Sequence, residues 1–205
     1  MLDTANPLIA QSPLAAVYHP GVHGDPGPDG PEVVLSEVRD RALVSLMAAA
    51  NDTDALADAV KTGLGLDLPE PNRTTQDHTR LLAFAGLNKW YAMQPGSEGP
   101  SLMRTLADAL GETATLADQS HGQTVLEIAG EAARDVLAKG VAVDLDPKVF
   151  AVGDAAAVPV NHVHVLLWRT QLDTYRLMCM RGFARDLWEF LSAMAAPVGY
   201  RVPAV

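Results

Sequence analysis

Residues Val165 to Met194 read VLLWRTQLDTYRLMCMRGFARDLWEFLSAM, and they parse as strand, turn, strand and helix. In the second strand Tyr175, Leu177 and Cys179 alternate with Arg176, Met178 and Met180, so one face of the pleat carries an apolar row. That row needs cover. Phe183, Leu187, Phe190, Leu191 and Met194 recur downstream at helical spacing, with Arg185, Asp186, Glu189 and Ser192 on the opposite side. Each large side chain buried between helix and strands stabilises by roughly 1.5–3 kcal/mol, which makes helix and hairpin one unit. Pro197 ends the helix.

The same grammar occurs earlier, in Leu81 to Leu110, LLAFAGLNKWYAMQPGSEGPSLMRTLADAL. Its turn and second strand, Leu87 to Met93, align without a gap on Leu172 to Met178. The helices that precede the two units also correspond, Asp54 to Gly63 against Glu131 to Gly140. Each then runs into an Asp-Leu pair, Asp67-Leu68 and Asp144-Leu145. The chain therefore reads as an α+β fold of two pseudo-repeated ββαββα lobes. The expected division is 1–30 as a Gly/Pro-rich N-terminal arm, 31–112 as the first lobe and 113–205 as the second, the lobes packed as one compact unit.

In the first lobe, Val33 to Val38 and Leu43 to Met47 read as strands, and Asn51-Asp52-Thr53 offers a helix N-cap. Gly63 and Gly65 suit a left-handed helix end, and Pro69 and Pro71 open a linker to Asp77. In the second lobe, Thr113 to Ala117 and Thr124 to Ile128 read as strands and Glu131 to Lys139 as a helix. An irregular segment then runs from Asp146-Pro147 through Val158. In residues 1–30 the run His19-Pro20-Gly21-Val22-His23-Gly24 disfavours both helix and sheet, leaving either a flexible arm or one that orders along a partner subunit.

At 205 residues, with 48% apolar and 20% charged residues, the chain can bury a sizeable core and should fold. The net charge of −10 argues against binding to nucleic-acid phosphates and favours a basic protein surface as electrostatic partner. The single cysteine, Cys179, lies in an apolar strand and reads as a buried structural thiol. The opening MLDTANPLIAQSPLAAV lacks a basic region followed by a long apolar run, and no stretch approaches the ~20 apolar residues of a spanning helix. A cytoplasmic protein without a membrane anchor is expected.

Several residues invite a chemical reading. His19 with His23, and His162 with His164, lack the converging acidic or cysteine ligands of a metal site. Asp118-Gln119-Ser120-His121-Gly122-Gln123 gathers an acid, a hydroxyl and an imidazole, but neighbours this close cannot form a nucleophile relay, and turn chemistry is the expected role. Gly63-Leu64-Gly65 follows a helix, the reverse of the strand-to-helix context of a phosphate loop. Trp90, Trp168 and Trp188 sit in apolar frames and read as core. No catalytic, cofactor-binding or metal-binding residue is expected.

Ser12-Pro13-Leu14, Gly86 to Trp90, Gly130 to Gly140 with Asp144-Leu145, Leu166-Leu167-Trp168-Arg169 and Arg181 to Trp188 carry a family likeness. In order and spacing they resemble the gamma subunit of heterotetrameric sarcosine oxidase, from Val33 to Tyr200. The resemblance implies a fold related to the folate-binding domain of the glycine-cleavage aminomethyltransferase. It also implies an accessory chain with no catalytic residue and no cofactor of its own. The partners implied are alpha, beta and delta subunits, carrying FAD, FMN, NAD, tetrahydrofolate and zinc. That complex converts sarcosine to glycine, hydrogen peroxide and a one-carbon unit that tetrahydrofolate accepts. The turn Gly86-Leu87-Asn88-Lys89 departs from the Gly-Pro-Asp type of relatives. Two alternatives therefore stand beside this reading: a gamma-like subunit of another N-methyl amino-acid dehydrogenase, such as one for N-methylglutamate, and a free-standing folate-dependent aminomethyltransferase-like protein.

Overall fold

The computed structural model describes residues 11–204. Twelve strands and four helices follow in the order β1 (Gly21–His23), β2 (Val33–Glu37), β3 (Arg41–Ala48), α1 (Thr53–Leu64), β4 (Thr74–Gln76), β5 (Leu81–Gly86), β6 (Lys89–Pro95), α2 (Gly99–Leu110), β7 (Ala114–Asp118), β8 (Gln123–Ala129), α3 (Ala133–Ala138), β9 (Ala155–Val160), β10 (Val163–Gln171), β11 (Thr174–Met180), α4 (Ala184–Ala195) and β12 (Tyr200–Val202). The quoted stretch folds as read: β10 and β11 pair antiparallel, and Tyr175, Leu177 and Cys179 share a core with Leu187 and Leu191 of α4. One detail differs. Phe183 precedes the helix and is exposed; Trp188, read as core, does turn inward, against Tyr18, with ring centroids 5.1 Å apart. A residue ahead of the first helical turn does not share the helix's angular phase, so its spacing misled.

The strands form a five-stranded sheet, β4-β5-β6-β3-β7, and a seven-stranded sheet, β1-β12-β2-β8-β11-β10-β9. The two orders correspond term by term, with β3 matching β8, β6 matching β11, β5 matching β10 and β4 matching β9. The first strand of each half crosses over: β2 pairs with β8, and β7 pairs with β3. Helices α1 and α2 cover the outer face of the smaller sheet through Leu56, Val60, Leu102 and Leu106. Helices α3 and α4 cover the larger one. The inner faces meet across a middle layer that includes Leu43, Tyr91, Met93, Leu166, Trp168 and Met178. The layers are thus helix, sheet, sheet, helix, and each sheet has an apolar neighbour on both faces.

Each half exceeds the expected four strands, the first by β4 and the second by β9 and β12. β4 and β9 come from the segments read as linkers. β4 is only three residues long, and β9 is alanine-rich with Pro159, which an edge position tolerates. The edges are tied together: Thr74 N–H donates to the Gly153 carbonyl at 2.7 Å, Ala155 N–H to that of Asn72 at 2.8 Å, and Arg73 pairs with Asp154.

The N-terminal region also departs from expectation. Gly21–His23 forms β1 and pairs antiparallel with β12, and Leu14 is fully buried in the larger core. Local Pro and Gly content lowers strand propensity, but the open edge of β12 supplies main-chain partners that propensity does not register. Residues 1–10 of the expected arm lie outside the described residues.

Helix ends follow sequence rules where side chains can cap. The Asp52 carboxylate accepts the Ala55 N–H at 2.9 Å, and Gly65 closes α1 at φ 70°. Gly130 has φ +125°, and a Cβ there would stand 2.1 Å from the Glu32 carbonyl oxygen, where the chain entering the crossed strand β2 passes. A Cβ at Gly140 would meet the Phe190 ring at 2.2 Å, so this glycine seats α3 against α4.

Candidate functional site

A ligand held by a two-sheet fold of this kind would lie between the sheets, so the contents of the middle layer decide what the interior can do. Leu43, Tyr91, Leu166 and Trp168 are buried in it, and at one end Lys89, Tyr91, Leu166 and Met178 line a cavity of about 300 Å3 between the sheets. Trp168 is 1% exposed, and its indole N–H meets no acceptor among the described residues. A pteridine ring needs a carboxylate to grip it and an aromatic clamp. Glu127, on the inner face of β8, accepts from Arg176 Nε at 2.7 Å, and Asp154, in the loop before β9, pairs with Arg73.

The buried Arg169 is structural. It is 2% exposed; Nη1 donates to the Phe150 carbonyl at 2.6 Å and Nε to that of Leu172 at 3.0 Å, and the guanidinium lies 5.5 Å from the Tyr175 ring centroid. It joins the loop before β9 to the β10–β11 turn. The other residues that carry the family likeness act similarly. Leu14 plugs the core, Gly130 and Gly140 permit close approach, and Arg181 donates to the Gln11 carbonyl.

The residues that invited chemistry lie apart from one another in the fold, save close sequence neighbours such as those of the Asp118 to Gln123 turn. The Ser120 hydroxyl accepts the Leu43 N–H at 3.0 Å, and Ser120 N–H donates to Asp118 at 2.9 Å, so this stretch is the β7–β8 turn. His121 is exposed at the turn's tip. His23 stacks on Tyr200 at 5.2 Å, and its Nε2 lies 2.8 Å from the His19 carbonyl oxygen. His162 falls in the β9–β10 turn and His164 on β10, both exposed. Trp90 donates from Nε1 to the Pro69 carbonyl at 2.9 Å. Among the described residues no three His, Cys, Asp or Glu side chains group as metal ligands, and no helix is long and apolar enough to cross a membrane.

Cys179 is 1% exposed, and burial pushes its thiol from the ordinary 9.0 up to about 12. The thiolate is the reacting species, so alkylation by iodoacetamide at pH 8 is expected to run roughly 100-fold or more slower in the native chain than in urea. Equal rates would contradict the burial. The buried form is the neutral thiol, so this group's contribution to stability holds below the unfolded value and falls as pH rises toward about 12.

The exterior is where apolar side chains lie uncovered. Leu87, at the tip of the β5–β6 hairpin, is 89% exposed, and Leu172, at the tip of the matching β10–β11 hairpin, is 66% exposed. Val149 and Val152 are exposed in the loop before β9 that Arg169 holds. Neither tip stands out by composition. Only their equivalence in the repeat, Leu87-Asn88 against Leu172-Asp173, marked them in the sequence.

Comparison with known proteins gives consistent results. The sarcosine oxidase, gamma subunit family model matches residues 48–197. The sarcosine oxidase subunit gamma of Corynebacterium sp. (strain U-96) is 31% identical over 160 residues, 78% of this chain and 77% of that one. The subunit gamma from Arthrobacter sp is 36% identical over 141 residues, 67% of this chain and 68% of its own. A chain of the heterotetrameric sarcosine oxidase from Corynebacterium sp. U-96, solved in complex with pyrrole 2-carboxylate, superposes with a TM-score of 0.78 at 26% identity, over 92% of this chain and 96% of that chain. The glycine cleavage system aminomethyltransferase T from Bartonella henselae superposes with a TM-score of 0.56 at 15% identity, over 84% of this chain and 53% of that one, a likeness of fold alone.

Proposed function

The chain belongs to the sarcosine oxidase gamma subunit family, and from that premise we propose that it is a noncatalytic accessory subunit of a flavin-dependent heterotetrameric sarcosine oxidase. The partners are alpha, beta and delta subunits, which carry FAD, FMN, NAD, tetrahydrofolate and zinc. The assembly oxidises the N-methyl group of sarcosine, giving glycine, hydrogen peroxide and a one-carbon unit. The observation that carries this reading is the near end-to-end superposition on a chain of a heterotetrameric sarcosine oxidase, covering 92% of one and 96% of the other. A free-standing aminomethyltransferase is disfavoured, because the chain spans only 53% of the aminomethyltransferase it resembles.

In this reading the exterior is the working part, and the paired hairpin tips are its docking points. Isolation of the tagged chain from its own cell should bring down larger chains with a flavin absorbance spectrum; recovery without any flavoprotein overturns the assignment. In the same preparation, Leu87→Asp and Leu172→Asp should leave the far-UV circular dichroism unchanged and weaken association at least roughly tenfold each, the size expected of an apolar anchor buried at an interface. Undiminished association in both variants would move the interface elsewhere on the surface.

A further inference from the structure

The β7–β8 turn, the start of β3 and the N-terminal segment enclose a cavity of about 180 Å3. Arg39, Arg41 and Arg181 border it together with His121, against a single carboxylate among the described residues, Glu37. Such a gathering of positive charge runs against a net charge of −10. Glu37 is already engaged, since its Oε2 accepts from Ser12 Oγ and from Arg39 Nε, each at 2.6 Å.

Arg41 is the decisive group. It is 9% exposed, and it donates from Nη1 to the Ser120 carbonyl at 3.2 Å and from Nη2 to the Gln123 carbonyl at 2.8 Å. Its buried Nε meets no acceptor among the described residues, and no carboxylate is within ion-pair distance. Desolvation pulls its pKa below the ordinary guanidinium value. The nearby Glu37 offsets this only in part and is shared with Ser12 and Arg39, so a bound anion would further relieve the burial of the Arg41 charge. With about 30 Å3 per water, the cavity has room for one tetrahedral oxyanion and a few waters. Guanidinium forks match the oxygen spacing of phosphate and carboxylate.

We propose that this cavity is an oxyanion site, in which Arg39, Arg41 and Arg181 grip a phosphate or carboxylate group. The site does not depend on the subunit assignment. The test is calorimetric titration of the full-length chain with inorganic phosphate, and separately with acetate, at matched ionic strength. Saturable one-site binding is expected. It should weaken at least tenfold in Arg39→Gln and in Arg181→Gln, both exposed side chains whose loss leaves the circular dichroism intact, and stay unchanged in the distant Arg134→Gln. Phosphate binding without acetate binding identifies the occupant as a phosphate group, acetate binding without phosphate binding identifies a carboxylate, and binding of both supports a site for either oxyanion. Absence of saturable binding by either anion, or undiminished affinity in both arginine variants, overturns the proposal.

Discussion

Expressed apart, residues 1–112 and 113–205 are each expected to fail to fold, and mixed or co-expressed they should assemble into one stable complex. The reason lies in the crossed strands. The second half alone loses β2, and with it Val33 and Leu35, as well as Leu14 and Tyr18, all four buried in the core under α3 and α4. At roughly 1.5–3 kcal/mol for each large apolar side chain, that loss is of the order of a whole domain's net stability, typically about 5–15 kcal/mol. The first half loses β7, the outer partner of β3, and Leu116 from the core under α1 and α2. Both halves also expose their share of the middle layer, Leu43, Tyr91 and Met93 on one side and Leu166, Trp168 and Met178 on the other. Separate expression should therefore give insoluble or molten material, with dispersed amide spectra appearing only on mixing. Two independently folded halves that do not associate would contradict the exchange of strands.

Repetition was legible in the sequence, whereas the exchange was not. Side-chain alternation states which face of a strand is buried, as it does for Tyr175, Leu177 and Cys179, but it does not name the neighbouring strand. Val33 to Glu37 would carry the same pattern beside β3 as it does beside β8. The aligned turns at Leu87 and Leu172 were informative because a hairpin is local, its register determined by the two or three residues between the strands. The edge strands β1, β4 and β9, and the short β12 between β1 and β2, depend on a neighbouring strand rather than on their own residues, so three-residue pieces such as Gly21–His23 left no pattern to read. The oxyanion cavity was hidden for a related reason. Arg41 reads as one more charge in the turn Arg39-Asp40-Arg41, and only the fold brings it under Ser120 and Gln123 and away from water. Residue type alone did not mark the site: His19 and His162 lie exposed and apart, whereas Ser120 and His121 border the cavity only because the fold brings their turn beside Arg41 and Arg181.

Arg169→Ala is expected to be the most damaging single substitution, lowering stability by about 4 kcal/mol and the thermal midpoint by roughly 10 °C. Its guanidinium serves the carbonyls of Phe150, Gln171 and Leu172 from a position 2% exposed to solvent. Removing it strands those acceptors and also the face of Tyr175, over which the cation lies. Lysine should not rescue the loss, because one ammonium cannot reach both the Phe150 loop and the Leu172 turn in the way a planar fork does. Thermal melts followed by far-UV circular dichroism would measure both variants, and a shift below about 3 °C for alanine would mean that water replaces the guanidinium without cost. The substitution also reaches the surface. The loop carrying Val149 and Val152 and the hairpin tip carrying Leu172 are joined through this one side chain, so assembly with partner chains should weaken even at temperatures where Arg169→Ala remains folded. A variant that melts early yet associates normally would separate the two roles and place the docking surface away from this end of the larger sheet.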